Sequence, residues 1–144
     1  RRSSDLEVNV KQGAQIFDAL AAATNKRLVR AAHDCSEGGL GVAVAEMAFS
    51  GGLGASINLK KVPYQGRAAR NDAVLFSESN SRFVVEVRPG EQKKFERLLA
   101  GVPYAVIGGV EKNPELAVTG LDGKICANAS LADLKEAWQR PLRW

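Results

Sequence analysis

A polar, glycine-containing junction between two apolar stretches restricts how this chain can fold more than any other feature. Residues 28–32 are apolar except for one arginine, and from Leu40 onward apolar residues recur at helical spacing. Between these stretches, residues 33–39 read His-Asp-Cys-Ser-Glu-Gly-Gly. The pattern predicts a short strand followed at once by a helix, and a helix N-terminus attracts anions. The sequence therefore predicts a strand, a tight polar junction and a helix that ends at Gly51-Gly52, with the functional edge of the domain at the junction.

The composition is that of a globular domain. The chain has 144 residues, of which 45% are hydrophobic and 25% charged, and only five are proline. This length is sufficient to bury a core without metal or disulfide cross-links, so we expect residues 1–144 to form a single domain. The formal net charge is +4, with basic residues at both ends of the chain: Arg1, Arg2, Arg140 and Arg143. Since the sequence has neither a clustered basic face nor interleaved aromatic residues, we expect no binding to nucleic acid.

The cysteines and the hydropathy indicate the cellular compartment of the protein. Cys35 and Cys126 are far apart, and a single pair is typical neither of a disulfide framework nor of a zinc site, which predicts a reducing, cytoplasmic location. No apolar run approaches the roughly 18 residues that a membrane-spanning helix requires, so we expect no membrane partner. Because the chain starts with Arg1 and carries no signal-peptide pattern, we expect it to be a fragment of a longer protein.

Local patterns predict helices and strands along the rest of the chain. The predicted elements are a helix from Val10 to Asn25, a strand over 54–59, a short helix over 71–76, a strand over 82–88, a helix over 91–100, a strand from Tyr104 to Val110 with Gly108-Gly109 at its end, a hairpin turning at Asp122-Gly123, and a last helix that Ser130 opens and Pro141 stops. We therefore predict an α+β fold, a layered α/β sandwich in which a mixed sheet is flanked by helices.

Asp34 is the first candidate for chemistry at the junction. A carboxylate at the end of a strand could bind Mg²⁺ while bare glycine amides and the helix N-terminus face phosphate oxygens. A capping or turn aspartate explains the residue equally well, since glycine-rich turns alone are weak signals. Ser36 is expected to cap the helix, and Glu37 to interact favourably with its dipole.

His33 and Cys35 suggest a base and a nucleophile, but no third orienting group is evident in the sequence. A cysteine in such a position is more often a small buried hydrophobic residue than a nucleophile. A metal site formed by His33, Cys35 and Cys126 is less favoured than either interpretation. The sequence leaves the roles of His33 and Cys35 open.

A second polar segment lies between two apolar runs, where residues 77–82 read Ser-Glu-Ser-Asn-Ser-Arg. One carboxylate, one amide, three hydroxyls and a guanidinium suit hydrogen bonding to a ribose, an amide or a phosphate. A solvated loop is the alternative. Functional residues favour loops that rigid elements hold in place, so this loop is a candidate binding segment.

The segments 33–40, 45–48 and 75–83 together resemble those of a known family. The chain is similar to the C-terminal domain of the AIR synthase-related superfamily, and within it to the last domain of the small-type phosphoribosylformylglycinamidine synthases. The likeness extends over nearly the whole chain, including a final helix with Trp138. It implies an AIR synthase C-terminal domain-like fold.

The resemblance also implies part of an ATP-dependent ligase of de novo purine biosynthesis. Enzymes of this kind convert formylglycinamide ribonucleotide to the amidine: ATP phosphorylates the substrate amide oxygen, and ammonia then displaces phosphate. The implied cofactors are ATP and Mg²⁺. The implied partners are the N-terminal ATP-binding domains of the same enzyme, a glutaminase subunit that supplies ammonia, and a small accessory subunit. Because most catalytic groups of the family lie on the ATP-binding domains, the resemblance implies no catalytic residue here and an inactive isolated domain.

The candidate site has three parts. They are a metal ligand, Asp34; a nucleotide- or phosphate-binding group, Ser36, Gly38 and Gly39; and, by resemblance, a substrate-binding group, Glu78, Ser79 and Asn80. The family has two tandem copies of an ATP-binding half followed by a domain like this one. His-Asp-Cys-Ser at 33–36 resembles the second copy, whose cleft would be an auxiliary nucleotide site by pseudo-symmetry.

The sequence departs from the family pattern at three positions. Asn80 stands where the family has glutamine, so the side chain that carries the amide is shorter. Cys35 and Glu37 stand where the family commonly has valine and aspartate. Two alternatives stay open. One is a structural domain without ligand contacts, and the other is the equivalent domain of AIR synthase, selenophosphate synthetase or the hydrogenase-maturation dehydratase.

Overall fold

A computed structural model describes residues 9–64 and 70–143. Within them the helices are α1 (Val10–Asn25), α2 (Gly39–Gly51), α3 (Asn71–Phe76), α4 (Gln92–Leu98) and α5 (Leu131–Gln139). The strands are β1 (Val29–Asp34), β2 (Gly54–Asn58), β3 (Phe83–Val87), β4 (Gly108–Glu111), β5 (Glu115–Thr119) and β6 (Ile125–Ser130). The basic residues Arg1 and Arg2 and the second half of the expected loop over 60–69 lie outside the described residues. None of the helices in the described part is long and apolar enough to cross a membrane.

The strands form two sheets. β1 and β3 pair antiparallel, with Asp34 opposite Phe83. The second sheet has the order β4-β2-β5-β6, in which β2 runs parallel to β5 and the other pairs are antiparallel. Helices pack against both sheets, so the predicted α+β fold with a mixed sheet flanked by helices is confirmed, with β1 and β3 in a sheet of their own.

Two hydrophobic clusters hold the layers together. The larger lies between α2 and the four-stranded sheet and includes Leu40, Val44 and Ile57. The smaller joins α1 and α4 to the two-stranded sheet through Ala19, Ala23, Leu28, Phe95 and Leu99. Because α2 also packs against α3, α5 and β1, its N-terminus is held in place by several elements.

Local signals explain where most elements begin and end. Asn9 caps α1 by accepting a hydrogen bond from the Gln12 amide at 3.0 Å, and Ser130 caps α5 by accepting one from the Asp133 amide at 3.0 Å. Gly52 ends α2 in the left-handed conformation, as predicted for this glycine pair. The boundaries predicted for α1 and α3 are those observed.

One predicted strand is wrong in its position. The sequence predicted a strand from Tyr104 to Val110 that ends at its glycine pair, whereas β4 begins at Gly108 and continues to Glu111. The backbone of β2 passes so close that a Cβ at Gly108 would overlap the Ser56 carbonyl oxygen. Glycine here permits the pairing of two strands and does not terminate one.

Candidate functional site

The candidate site lies at the end of β1, beside the N-terminus of α2. Side chains alternate along β1 as predicted, so His33 is half-buried while Ala32 and Asp34 on the opposite side are exposed. With Phe83 of β3, these three residues line an open depression. Strand periodicity therefore directs Asp34 to solvent and His33 toward α2.

Asp34 presents an ionised carboxylate to solvent. The Ser36 hydroxyl donates a hydrogen bond to Asp34 Oδ2, and this bond is the main reason that the carboxyl pKa lies below its usual value of 3.8. The nearby His33 ring adds a smaller Coulomb attraction. The prediction that Ser36 caps α2 is wrong, because the helix starts only at Gly39 and no side chain caps it. Ser36 orients Asp34 instead.

A glycine pair begins α2, and the second glycine lets the helix approach the loop after α3 closely. Gly38 and Gly39 both have left-handed backbones, with φ of 73° and 63°. A Cβ at Gly39 would lie 2.8 Å from the Ser77 carbonyl oxygen and 2.9 Å from that of Leu75. The Gly38 amide donates to Glu78 Oε1 at 2.9 Å. The fold thus brings the two polar segments together, and Glu78 supplies negative charge next to the helix N-terminus.

The loop over residues 77–82 is held at its ends. Arg82 Nη1 donates to Ser77 Oγ at 3.1 Å, which closes the loop on itself. The Arg82 carbonyl oxygen accepts from the Cys35 amide at 2.9 Å, which joins the loop to the end of β1. The side chains at the turn, predicted to bind substrate, are all exposed: Glu78, Ser79 and Asn80. The loop is therefore both anchored and accessible.

Cys35 has almost no access to solvent, with 1% of its surface exposed. Burial raises the pKa of its thiol above the usual value, which keeps it neutral at physiological pH. Cys126 is exposed on β6. Within residues 9–64 and 70–143, no three His, Cys, Asp or Glu side chains are grouped to hold a metal ion. The geometry therefore supports neither a Cys35 nucleophile nor a metal site that joins His33 to the two cysteines.

Sequence reasoning missed a hydrogen-bonded trio behind β1. His33 Nε2 lies 2.7 Å from Glu46 Oε2, and Trp138 Nε1 donates to Glu46 Oε1 at 2.7 Å. Phe49 packs beside the Trp138 indole, with ring centroids 5.8 Å apart. Glu46 is the only charged residue of α2, and this isolated charge in an apolar helix was the available signal. Trp138 lies 92 positions further along the chain, and nothing in the sequence pairs it with Glu46.

We expect His33 to titrate above its usual pKa of 6.5. The largest cause is the hydrogen bond that Nδ1 donates to the Asp34 carbonyl oxygen at 2.7 Å; Glu46 adds to it, and burial opposes it. A pKa raised by folding means that His33 stabilises the protein fully below pH 6.5 and that this stability is lost as the pH rises through the raised value. NMR titration of the imidazole measures this directly, because His33 is the only histidine in the chain.

Glu46→Gln should lower the His33 pKa only part of the way toward 6.5, because the bond to the Asp34 carbonyl remains. Glu136→Gln removes a carboxylate of α5 that binds Arg143 and forms no hydrogen bond or ion pair with His33 or Glu46, so it should leave the His33 pKa unchanged. A pKa at or below 6.5 in the unmodified protein would contradict this account.

The comparisons with known sequences identify a family. The family described as AIR synthase related protein, C-terminal domain, matches residues 2–120. Two curated relatives are phosphoribosylformylglycinamidine synthase subunits PurL. The one from Deinococcus radiodurans is 36% identical over 94% of this chain and 18% of the relative. The one from Alkaliphilus metalliredigens is 38% identical over 81% of this chain and 15% of the relative. The chain thus spans less than a fifth of the length of these relatives.

Solved structures share the fold. Thermotoga maritima PurL complexed with FGAR has a TM-score of 0.76 at 22% identity, covering 85% of this chain and 20% of that one. The structure of PurLQS from Thermotoga maritima has a TM-score of 0.79 at 20% identity, covering 92% and 23%. HypE of Escherichia coli is also similar, with a TM-score of 0.64 at 21% identity, covering 80% and 38%.

Proposed function

Because this chain belongs to the family of AIR synthase related C-terminal domains, we propose that it is part of the ATP-dependent ligase that converts formylglycinamide ribonucleotide to formylglycinamidine ribonucleotide. The observation that carries the proposal is the likeness to two curated phosphoribosylformylglycinamidine synthase subunits over 94% and 81% of the chain. In this proposal residues 1–144 form one domain of the enzyme and contribute one wall of a nucleotide- or phosphate-binding cleft.

The residues of this chain are proposed to bind and orient, and we assign none of them a catalytic role. In the proposed reaction ATP transfers a phosphoryl group to the amide oxygen of the substrate, and ammonia then displaces phosphate to form the amidine. Cys35 is buried and neutral, and His33 is held between Glu46 and the Asp34 carbonyl. Neither side chain is free to act as a nucleophile, so the reacting groups are proposed to lie on the rest of the enzyme.

Asp34 suits one ligand position of the Mg²⁺ that accompanies ATP. Its carboxylate is exposed, and the Ser36 hydroxyl favours its charged form. Mg²⁺ usually takes one or two protein carboxylates and fills its remaining positions with water and phosphate oxygens. Its chemical contribution when bound is to neutralise charge on the phosphates. A single carboxylate from this chain therefore fits such an ion.

The phosphate-binding role of Ser36, Gly38 and Gly39 is a prediction with one condition. Glu78 Oε1 accepts a hydrogen bond from the Gly38 amide, so a phosphate can bind that amide only after the Glu78 carboxylate has moved away. Glu78 is exposed and belongs to the loop proposed to bind substrate together with Ser79 and Asn80. Substrate binding would then draw Glu78 away and open the glycine amide, which makes the two proposed sites interdependent.

The proposed partners follow from the greater length of the relatives and from the likeness of this chain to part of one chain in the PurLQS structure. They are N-terminal ATP-binding domains of the same enzyme, a glutaminase subunit that supplies ammonia, and a small accessory subunit. No nucleic acid and no membrane partner is proposed. We place the enzyme in the cytoplasm, because the two cysteines are unpaired thiols, as suits a reducing compartment.

The test is amidine formation by the full-length protein from ATP, formylglycinamide ribonucleotide and ammonium chloride. We expect turnover that requires all three, and no turnover by this chain alone. A folded full-length protein that forms no amidine from the three would contradict the proposal, and turnover by the isolated chain would contradict its non-catalytic role.

Asp34→Asn in the full-length protein should weaken Mg-ADP binding at one site by at least about tenfold, because an amide oxygen is a poorer Mg²⁺ ligand than a carboxylate. Calorimetric titration with ADP in excess MgCl₂ measures the affinity. Asp122→Asn is the matched control, since it removes the same charge from the turn before β6 and keeps the acceptor that binds the Lys124 amide. Equal affinities in both variants would exclude Asp34 as a ligand.

A structural domain without ligand contacts is the second candidate, and one observation favours it. The polar groups of the site already bind one another, since Ser36 donates to Asp34 and Gly38 donates to Glu78. In this case Asp34→Asn lowers the melting midpoint but leaves the Mg-ADP affinity of the full-length protein unchanged, which is the opposite of the outcome expected above.

A further inference from the structure

A second depression lies at the opposite end of the two-stranded sheet, with a volume of about 530 Å³. The end of α1, the end of β3 and one face of α4 meet there. The charged side chains that line it are Lys26, Arg27, Arg88, Glu91, Lys94 and Arg97. Since β1 crosses the sheet from this depression to Asp34 in six residues, the two sites are about 16 Å apart.

The depression has a large excess of positive charge. Its one carboxylate, Glu91, pairs with Lys94 at 3.0 Å. Across residues 9–64 and 70–143, no carboxylate lies within ion-pair distance of the other four cations, which are Lys26, Arg27, Arg88 and Arg97. Cations that converge on one concave surface without counter-charges create a local field that attracts anions.

Arg27, which lines this depression, has a strained backbone. Arg27 follows α1 in the left-handed conformation, with φ of 55°, at a position where helices commonly have glycine. Its amide donates to the Thr24 carbonyl at 2.9 Å, and the Leu28 amide donates to that of Ala23 at 3.0 Å, which closes the helix end. An L-residue carries a strain here that glycine would not, and such strain is typical of functional positions.

We propose that this depression binds a small phosphate-bearing anion. Three of its cations are guanidinium groups, whose paired N–H donors match phosphate oxygens better than an ammonium does. Leu28 and Leu98 add apolar surface that suits the organic part of such a ligand. The volume is in the range of small-molecule sites, whereas an extended acidic partner would require a longer basic stripe. The site is separate from the proposed ligase chemistry and does not depend on it.

The experiment is calorimetric titration of the full-length protein with sodium tripolyphosphate. We expect the Arg27→Gly/Arg97→Gln double variant to lose one binding site, or to bind there at least tenfold more weakly, and to keep its ligase activity. Arg27→Gly removes the guanidinium and relieves the left-handed strain, so this substitution should not unfold the protein. A Lys112→Gln/Lys135→Gln double variant is the control, because it removes the same charge from exposed positions outside the depression.

Competition with ADP and with inorganic phosphate distinguishes between the possible ligands. Displacement of tripolyphosphate from this site by ADP indicates a nucleotide, and displacement by phosphate alone indicates an inorganic ligand; both outcomes support the proposal. Equal stoichiometry and affinity in the unmodified protein and the arginine variant would overturn it. It would also be overturned if hexaglutamate bound this site more tightly than tripolyphosphate, since the surface would then favour an acidic protein segment.

Discussion

Replacing Gly39 with alanine should lower the free energy of unfolding by about 3 kcal/mol, the largest effect expected of any substitution at the candidate site. Two costs combine at this position. The left-handed backbone, with φ of 63°, strains any L-residue. The new Cβ would also lie 2.8 to 2.9 Å from backbone atoms of residues 75–77, which cannot turn aside as a side chain can. α2 and the loop after α3 must therefore separate.

Gly51→Ala is the matched control for this substitution. Gly51 is the last residue of α2, and a Cβ there meets nothing within 4 Å. Alanine favours a helix by up to about 1 kcal/mol over glycine, so the control should be neutral or slightly stabilising. Urea denaturation compares the two variants. A loss below about 1 kcal/mol for Gly39→Ala would show that the close approach of α2 is not required.

The same substitution should also disturb the site. The bond from the Gly38 amide to Glu78 at 2.9 Å depends on the approach of α2 to the loop. If this approach is lost, Glu78 of the loop over residues 77–82 no longer reaches the Gly38 amide beside the end of the strand that carries Asp34. We therefore expect Gly39→Ala to weaken Mg-ADP binding in the full-length protein as well as its stability.

Replacing Gly108 with alanine should lower the free energy of unfolding by about 2 kcal/mol. The new Cβ would overlap the Ser56 carbonyl oxygen and lie 2.9 Å from the Ile57 Cα, so β4 must move away from β2. The Asn58 amide, which donates to the Ile107 carbonyl at 2.8 Å, should then exchange with solvent deuterium faster. Because β4 is an edge strand, the rest of the sheet should keep its pairing.

The neighbouring glycine provides the control. A Cβ at Gly109 meets nothing within 4 Å, so Gly109→Ala should leave both the stability and the Asn58 exchange rate nearly unchanged. Urea denaturation and hydrogen exchange of the two variants give the comparison. Equal effects of the two substitutions would refute the claim that one glycine is required for strand pairing and the other is not.

Elements with strong local signals were predictable from the sequence. Helical spacing and terminal caps define α1 and α5, alternation defines β3, and Asp122-Gly123 marks the hairpin between β5 and β6. The Tyr104–Val110 strand failed because β propensity reflects packing against neighbouring strands, which the local sequence does not identify. The position of β4 depends on which strand lies beside it, and β2 is about fifty residues earlier in the chain.

The candidate site was predictable only where local sequence patterns define it. The position of Asp34 at a strand end and the polar loop at 77–82 follow from local patterns, and the structure brings both to one edge. The expected cap by Ser36 failed because α2 starts only at Gly39, so Ser36 lies before the capping position, and its hydroxyl donates to Asp34 instead. The identity of the ligands that these residues bind stays a prediction.

The sequence by itself determined the type and order of most elements, the α+β class and the two polar segments of the site, because each depends on residues close together in the chain. Only the tertiary structure decided which distant groups meet. It placed Glu78 at the Gly38 amide, joined Glu46 to Trp138, and gathered cations from three elements into one basic depression in a chain whose net charge is only +4. The physical reason is that the strength of a hydrogen bond or a Coulomb attraction depends on the distance in space between two groups, whatever their separation in sequence.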